Sequence, residues 1–270
     1  MGPRRILSLL AVVSALALLG WGAFHAALGL RRVARISAPR PDAVASTSPE
    51  IWPGPRAILS VISPRFPADF GVHRVVVDPG HGAAHNRGNT SCFCVVEERF
   101  TLGAAFALRD RLEATGHFEV KLSREDEATI EYQERLDEAA RFGAEAFVSL
   151  HSDIRGKAER WSPDGGASCP ISLIAPGFTV LYSDEGDTPL VDRSLALARA
   201  TARRMLDTGL LAYGGASYQG LYEAVSASPG VFVDRHPREQ RIFILREAAM
   251  PSVLIETHHA LDPREAERWE

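Results

Sequence analysis

The chain is poor in cysteine, with three in 270 residues. Three thiols cannot build a disulfide framework, so a small stapled scaffold is excluded, and the odd count leaves at least one thiol unpaired or shared with another molecule. An excess of positive charge is also missing. Thirty basic against 34 acidic side chains leave a net charge of −4, without the basic footprint of a nucleic-acid-binding protein. No internal repeat is visible, which excludes solenoids and arrays. What remains is ordinary: 46% hydrophobic, 24% charged and 8% aromatic residues, enough for one large domain or two small ones with a real core.

The mean hydropathy of −0.06 averages over unlike parts. Arg4 and Arg5 precede a nearly unbroken apolar run from Ile6 to Leu30, which Arg31, Arg32 and Arg35 close. Roughly 20 apolar residues cross a bilayer, whereas the core of a signal peptide is about 7–15. The run is on the long side, lacks a small-x-small cleavage site before Arg31, and carries Trp21 late, where an interfacial aromatic would sit. Residues 1–35 therefore read as a signal-anchor or signal peptide, and the protein as exported. Residues 36–71 carry Pro39, Pro41, Pro49, Pro53, Pro55, Pro64 and Pro67 among small and polar residues. That composition predicts a semi-extended linker that lifts a domain over 72–270 away from a membrane.

Within 72–270 the pattern alternates. Arg74-Val75-Val76-Val77 is a β-branched run ending in the turn signal Asp78-Pro79-Gly80, and Thr101 to Thr115 has apolar residues at helical spacing before Gly116. Phe118 to Leu122 reads as a strand, Ile130 to Phe142 as a helix, Ala146 to Leu150 as a strand, Phe178 to Tyr182 as a strand, Ser194 to Leu206 as a helix, and Ser252 to Ile255 as a last buried strand. Strands alternating with helices predict an α/β domain of three layers, a mostly parallel sheet flanked by helices. Ligands of such sheets sit beyond the carboxyl ends of the strands. His81 follows the first strand, His151 the Ala146–Leu150 strand, and Glu256 the last. Two imidazoles and a carboxylate on one edge match the donor set of a catalytic zinc with an open position.

The run Arg74-Val75-Val76-Val77-Asp78-Pro79-Gly80-His81-Gly82 resembles the opening signature of the zinc-dependent N-acetylmuramoyl-L-alanine amidases of the amidase type 3 family. Further blocks follow in family order. Glu97 matches the acidic ligand at the start of the first helix; Ser123-Arg124-Glu125-Asp126 resembles T-R-x-x-D, and Arg135 the arginine of L-x-x-R. Phe147-Val148-Ser149-Leu150-His151 resembles F-I-S-I-H, and Leu245-Arg246 with Met250-Pro251-Ser252-Val253-Leu254-Ile255-Glu256 resembles L-R-x-x-x-M-P-A-V-L-V-E. The similarity covers about Val72 to Asp262. It implies one Zn2+ held by His81, Glu97 and His151, with Glu256 as the catalytic carboxylate, and peptidoglycan as substrate. The bond cut would join N-acetylmuramic acid to L-alanine of the stem peptide. Zinc would lower the pKa of water from about 15.7 towards 7, and Glu256 would take its proton and pass it to the leaving amine. An extracytoplasmic polymer as substrate agrees with the export segment and places the protein in the periplasm or cell envelope. No wall-binding repeat and no activator protein is legible.

Several positions stay open. Glu97 and Glu98 are adjacent, either could face a metal on sequence physics alone, and both would complement the helix dipole. Asp153 stands where the family has asparagine, and His258 and His259 could shape the groove or act as ligands. Cys169 is expected to pair with Cys92 or Cys94 in an oxidising compartment. The stretch from His151 to Gly177 is longer than the family usually shows. The helix-like segment from Pro263 to Glu270 is short, and a missing final helix would expose apolar sheet surface. Two other functions compete: a catalytically impaired peptidoglycan-binding or regulatory protein on the same fold, and another exported zinc amidase or peptidase.

Overall fold

The computed structural model describes Trp52, Gly54, residues 57–83 and residues 86–270. The expected export segment, residues 1–35, lies outside the described residues, as does most of the expected linker. Among the described residues no helix is long and apolar enough to cross a membrane.

In chain order the elements are β1 (His73–Pro79), α1 (Glu97–Glu113), β2 (Phe118–Leu122), α2 (Tyr132–Phe142), β3 (Ala146–Asp153), β4 (Glu159–Trp161), β5 (Cys169–Ile171), β6 (Thr179–Tyr182), α3 (Thr188–Asp207), β7 (Tyr222–Ala224), β8 (Val231–Asp234), α4 (Phe243–Arg246), β9 (Ser252–His259) and α5 (Pro263–Trp269). Seven strands form one sheet in the order β2-β1-β3-β9-β6-β8-β7, and β4 and β5 form a separate hairpin. The pairs β1/β2, β1/β3, β3/β9 and β6/β8 are parallel, whereas β6/β9 and β7/β8 are antiparallel. The sheet is thus mixed, with the expected parallel block intact around the site.

Three layers follow from the period-2 alternation of the strands. Val75 and Val77 of β1, Val148 and Leu150 of β3, and Val253 and Ile255 of β9 pack with Leu108 and Leu112 of α1 and Leu197 and Ala202 of α3. Val76, Phe147 and Leu254 point the other way, towards Leu136 and Ala139 of α2 and Leu245 of α4. Both faces are covered, which is why these strands read as continuous apolar runs rather than alternating ones.

Helix boundaries shift where caps decide them. α3 begins at Thr188, six residues before the apolar pattern, because Asp187 accepts from the Leu190 amide at 2.8 Å and Pro189 occupies the first turn. α1 begins at Glu97 rather than Thr101, which places both glutamates in its first turn.

The linker reading needs correction at its described end. Residues 57–71 contain no helix or strand, yet Trp52, Ala57, Leu59 and Phe70 are buried in the main core and the Ser60 amide donates to the Thr208 carbonyl at 2.8 Å. Apolar residues between the prolines bury enough surface to hold this segment against the domain, at about 1.5–3 kcal/mol for a fully buried large side chain. The expected exposure of sheet surface beside the last helix is not observed either. β9 is buried over nearly its whole length, and α5 is capped by Asp262, while Glu265 accepts from the amides of Gly177 and His259 at 2.9 and 2.7 Å.

Of the two candidate disulfides, Cys94–Cys169 forms, spanning 75 residues. Cys92 stays reduced and buried, and burial pushes its thiol up to about 12. The stretch after His151 is no open loop: it folds into the β4–β5 hairpin, tied to the Cys92–Cys94 segment by the disulfide and by Trp161 Nε1, which donates to the Cys92 carbonyl at 2.7 Å.

Candidate active site

β1, β3 and β9 run parallel and adjacent, and their carboxyl ends bring three expected residues together. His81 follows β1 by two residues, His151 lies in β3, and His151 is in register with Glu256 of β9. Glu97 arrives from the first turn of α1. One nitrogen each of His81 and His151 and one oxygen of Glu97 lie within 4.8 Å of one another. His81 Nε2 is 2.9 Å from Glu97 Oε2, and His151 Nδ1 is 3.2 Å from Oε1 and 3.1 Å from His81 Nε2. Two imidazole nitrogens and a carboxylate aimed at one point can hold a metal ion, and the set fits zinc with an open position.

The surrounding groups fix these donors. Asn86 Oδ1 accepts from the Gly88 amide at 3.2 Å and faces His81 Nδ1 at 2.8 Å, which holds the ring with Nε2 towards Glu97. Asn86 Nδ2 donates to the Tyr132 hydroxyl at 2.7 Å. Glu97 Oε2 accepts from the Asn89 amide and side chain at 2.9 and 2.8 Å, and Oε1 accepts from the Ser152 amide at 2.9 Å. Burial raises the Glu97 carboxyl, but hydrogen bonds from His151 and His81 and their charge outweigh it and hold the group far below the usual carboxylate range. Burial lowers His81, and Glu97 more than offsets this, so its pKa is raised.

Close approach explains two glycines. A Cβ on Gly80 would lie 2.4 Å from His151 Nε2, and one on Gly88, whose φ is +74°, would lie 2.5 Å from Glu97 Oε2 and 2.6 Å from His81 Cδ2. His81 itself has a φ of 65°, a sparsely populated conformation for a residue with a side chain. Two buried arginines hold this turn. Arg135 pairs with Asp78 at 2.9 Å and donates to the carbonyls of Pro79 and His81. Arg124 donates to the carbonyls of Pro79, Gly80 and Glu98. Ser123 and Ser149 complete the shell around Asp78. The blocks of sequence around Ser123 and Arg135 therefore serve the turn rather than the reacting atoms.

Glu256 lines the same cavity, of about 460 Å³, as His81, Glu97 and His151. Its Oε2 is shut off from solvent without a hydrogen-bond partner among the described residues. Burial, then the charges of Asp153 and Glu97, push its pKa well up, against a smaller opposing effect of Arg155. Asp153 is held by Arg155 Nε at 2.7 Å and by the Tyr218 hydroxyl.

The remaining candidates go elsewhere. Glu98 turns to Arg87 at 3.0 Å and stands outside the cluster. His258 is fully buried, stacked on Trp269 and edge-on to Phe100, and His259 is buried beside the Arg155 amide; neither lines the cavity. Sequence reasoning missed Asn86, Gly88, Asn89, Tyr132 and Phe243, all of which line it. The Asn86-Arg87-Gly88-Asn89 run between two ligand candidates was the available signal.

Known proteins share this fold. The crystal structure of the amidase Ami1 from Mycobacterium smegmatis superposes with a TM-score of 0.55 at 20% identity, over 74% of this chain and 92% of that one. The amidase from Clostridium difficile 630 gives 0.54 at 21%, over 74% and 86%. These likenesses establish the fold. In sequence, the N-acetylmuramoyl-L-alanine amidase CwlM of Bacillus licheniformis is 24% identical over 199 residues, 72% of this chain. The chain spans 60% of that relative's length, and 20% of the length of a probable amidase, AmiB, of Haemophilus influenzae. The sequence profile of the N-acetylmuramoyl-L-alanine amidases matches residues 75–270, from within β1 through the last helix. With that match, this chain belongs to the N-acetylmuramoyl-L-alanine amidase family.

Proposed function

We propose that the protein hydrolyses the amide between N-acetylmuramic acid and L-alanine of peptidoglycan, with one zinc ion held by His81, Glu97 and His151 and with Glu256 as the catalytic carboxylate. The observation that carries this reading is the convergence of three donor atoms within 4.8 Å in a cavity that also contains Glu256. Zinc bound there supplies Lewis acidity, which polarises an amide carbonyl and acidifies water. Glu256 is suited to move the proton: its raised pKa brings it closer to neutrality than an ordinary glutamate, where a general base works best. From the cavity lining its carboxylate would accept a proton from water and return it to the departing L-alanine nitrogen. Asn86 and Asn89 keep the donors in their binding orientation throughout. Export through residues 1–35, attachment to a membrane, and a catalytic domain over 72–270 belong to the same proposal, supported by the apolar run and its arginine brackets.

The test is to incubate the purified protein with labelled peptidoglycan, with and without a chelator. Release of stem peptides beginning with L-alanine, abolished by the chelator and restored by zinc, is expected; glycan fragments or cleaved cross-bridges would refute the activity. His81→Ala should lose its zinc. Glu256→Gln should keep zinc and lose turnover, and loss of the metal there would make Glu256 a ligand instead.

A further inference from the structure

Part of the cavity lining is aromatic and aliphatic. Tyr132, at the start of α2, and Phe243, at the start of α4, line it with their ring centroids 6.5 Å apart and their planes inclined by 33°. Both rings are partly exposed. Each is backed by a guanidinium, Arg135 at 5.3 Å from the Tyr132 centroid and Arg246 at 5.5 Å from that of Phe243. Neither arginine lines the cavity. None of the described residues lining the cavity is Arg or Lys, and three carboxylates, Glu97, Asp153 and Glu256, do line it.

This distribution bears on which half of the substrate lies where. The scissile amide divides an uncharged sugar from a stem peptide that carries carboxylates. A carboxylate laid on these rings would be desolvated against apolar surface, with no arginine or lysine among the lining residues to pair with it. A pyranose ring has the opposite character. Its axial C–H bonds carry slight positive charge, which the negative face of an aromatic ring attracts, and its N-acetyl methyl is apolar. Fixed, partly exposed rings are well suited to such a contact because little side-chain freedom is lost on binding.

We propose that Tyr132 and Phe243 form the platform for the saccharide of the substrate and so select amides attached to a sugar. The platform rests on the amidase reading above and adds the specificity of the same cavity. Phe243 contributes a stacking surface and nothing else. Tyr132 also accepts a hydrogen bond from Asn86, which orients His81, so it couples the platform to the metal donors.

The experiment compares two substrates that present the same lactyl amide: a disaccharide-tripeptide, and N-lactoyl-tripeptide, which lacks the sugar. With the zinc-loaded full chain, Phe243→Ala is expected to reduce the ratio of kcat/KM for the first substrate over the second by at least tenfold, and Phe243→Trp to restore it. Tyr132→Phe, which keeps the ring, should leave the ratio within about twofold while weakening zinc binding. An unchanged ratio in Phe243→Ala, with both substrates losing equally, overturns the platform, because a structural defect or a peptide-binding wall would act on both. Binding keeps the inference testable independently of turnover. In Glu256→Gln, calorimetry should show Phe243→Ala raising the Kd ratio of the same two molecules at least tenfold, and an unchanged ratio again overturns it. A wild-type protein that cleaves neither substrate, but whose binding ratio responds to Phe243, would refute the amidase activity and leave the saccharide platform standing.

Discussion

Replacing Arg135 by methionine probes how the turn that carries His81 is held. The Arg135–Asp78 pair spans 2.9 Å with side chains 0% and 1% exposed. The guanidinium also donates to the carbonyls of Ile130, Pro79 and His81 at 3.0, 3.2 and 2.5 Å. Methionine would fill much of the space but leave the Asp78 carboxylate buried without its cation. The Ser123 and Ser149 hydroxyls would still donate to Asp78, and Arg124 would still reach the Pro79 carbonyl, so the turn loses its charge balance rather than every contact. Removing one partner of a buried pair costs about 3–5 kcal/mol. For a domain of about 200 residues, at about 2–4 °C per kcal/mol, the Tm should fall by about 6–20 °C. His81, with its backbone at φ 65° and its carbonyl released, should bind metal about 10–100-fold more weakly. Calorimetric unfolding with chelator present, and zinc titration against a competing chelator, measure the two effects. The double variant Asp78→Asn, Arg135→Met should recover part of the lost stability, because no unpaired charge remains. A single-variant loss under about 1 kcal/mol, the size of an exposed ion pair, with unaltered zinc affinity would refute the reasoning.

Three other perturbations separate local from global effects. Gly88→Ala should cost about 1–3 kcal/mol and weaken zinc binding, because its Cβ meets Glu97 and His81 at 2.5 and 2.6 Å; wild-type affinity in competition titrations would contradict that close approach. Asp153→Asn should move the acid limb of the kcat/KM–pH profile to lower pH. Glu256 must be ionised to act as base, so activity rises with pH through its pKa, and deleting the Asp153 charge removes one cause of its elevation; a limb that stays or moves upward would count against Glu256 as that base. Removing the Cys94–Cys169 bridge by Cys94→Ala with Cys169→Ala should cost about 4.5 kcal/mol in the chain-entropy account for a 75-residue separation, read from urea unfolding. A change below about 1 kcal/mol would mean the unfolded chain gains little freedom there.

Much of the fold was legible because its signals are local. β1, β3 and β9 were readable as apolar runs, β2 as an alternating strand, and helix positions as apolar spacing closed by Gly116 and Gly143. β7 and β8 were missed: they are short, at three and four residues, and Tyr222–Ala224 is paired along the edge of the sheet with little burial of its own. The antiparallel seam between β6 and β9 leaves no local trace, since a buried strand looks the same whichever way its neighbour runs. The linker reading failed at Leu59 and Phe70 because proline content describes backbone preference, whereas burial there depends on a surface assembled from distant residues.

By itself the sequence determined the chemistry available at the strand ends: an imidazole after β1 and one on β3, a carboxylate on β9, and acids at the head of α1. It could not choose between neighbours. Glu97 and Glu98 stand about 100° apart around the helix axis, so which one meets the imidazoles depends on how α1 docks, and the docking turns Glu97 inwards and Glu98 to Arg87. The choice of Cys94 over Cys92 for Cys169 likewise needed the β4–β5 hairpin in place. Local preferences specify the elements and their side chains. The direction in which each side chain points is settled only when packing of both sheet faces fixes the rotation of every helix.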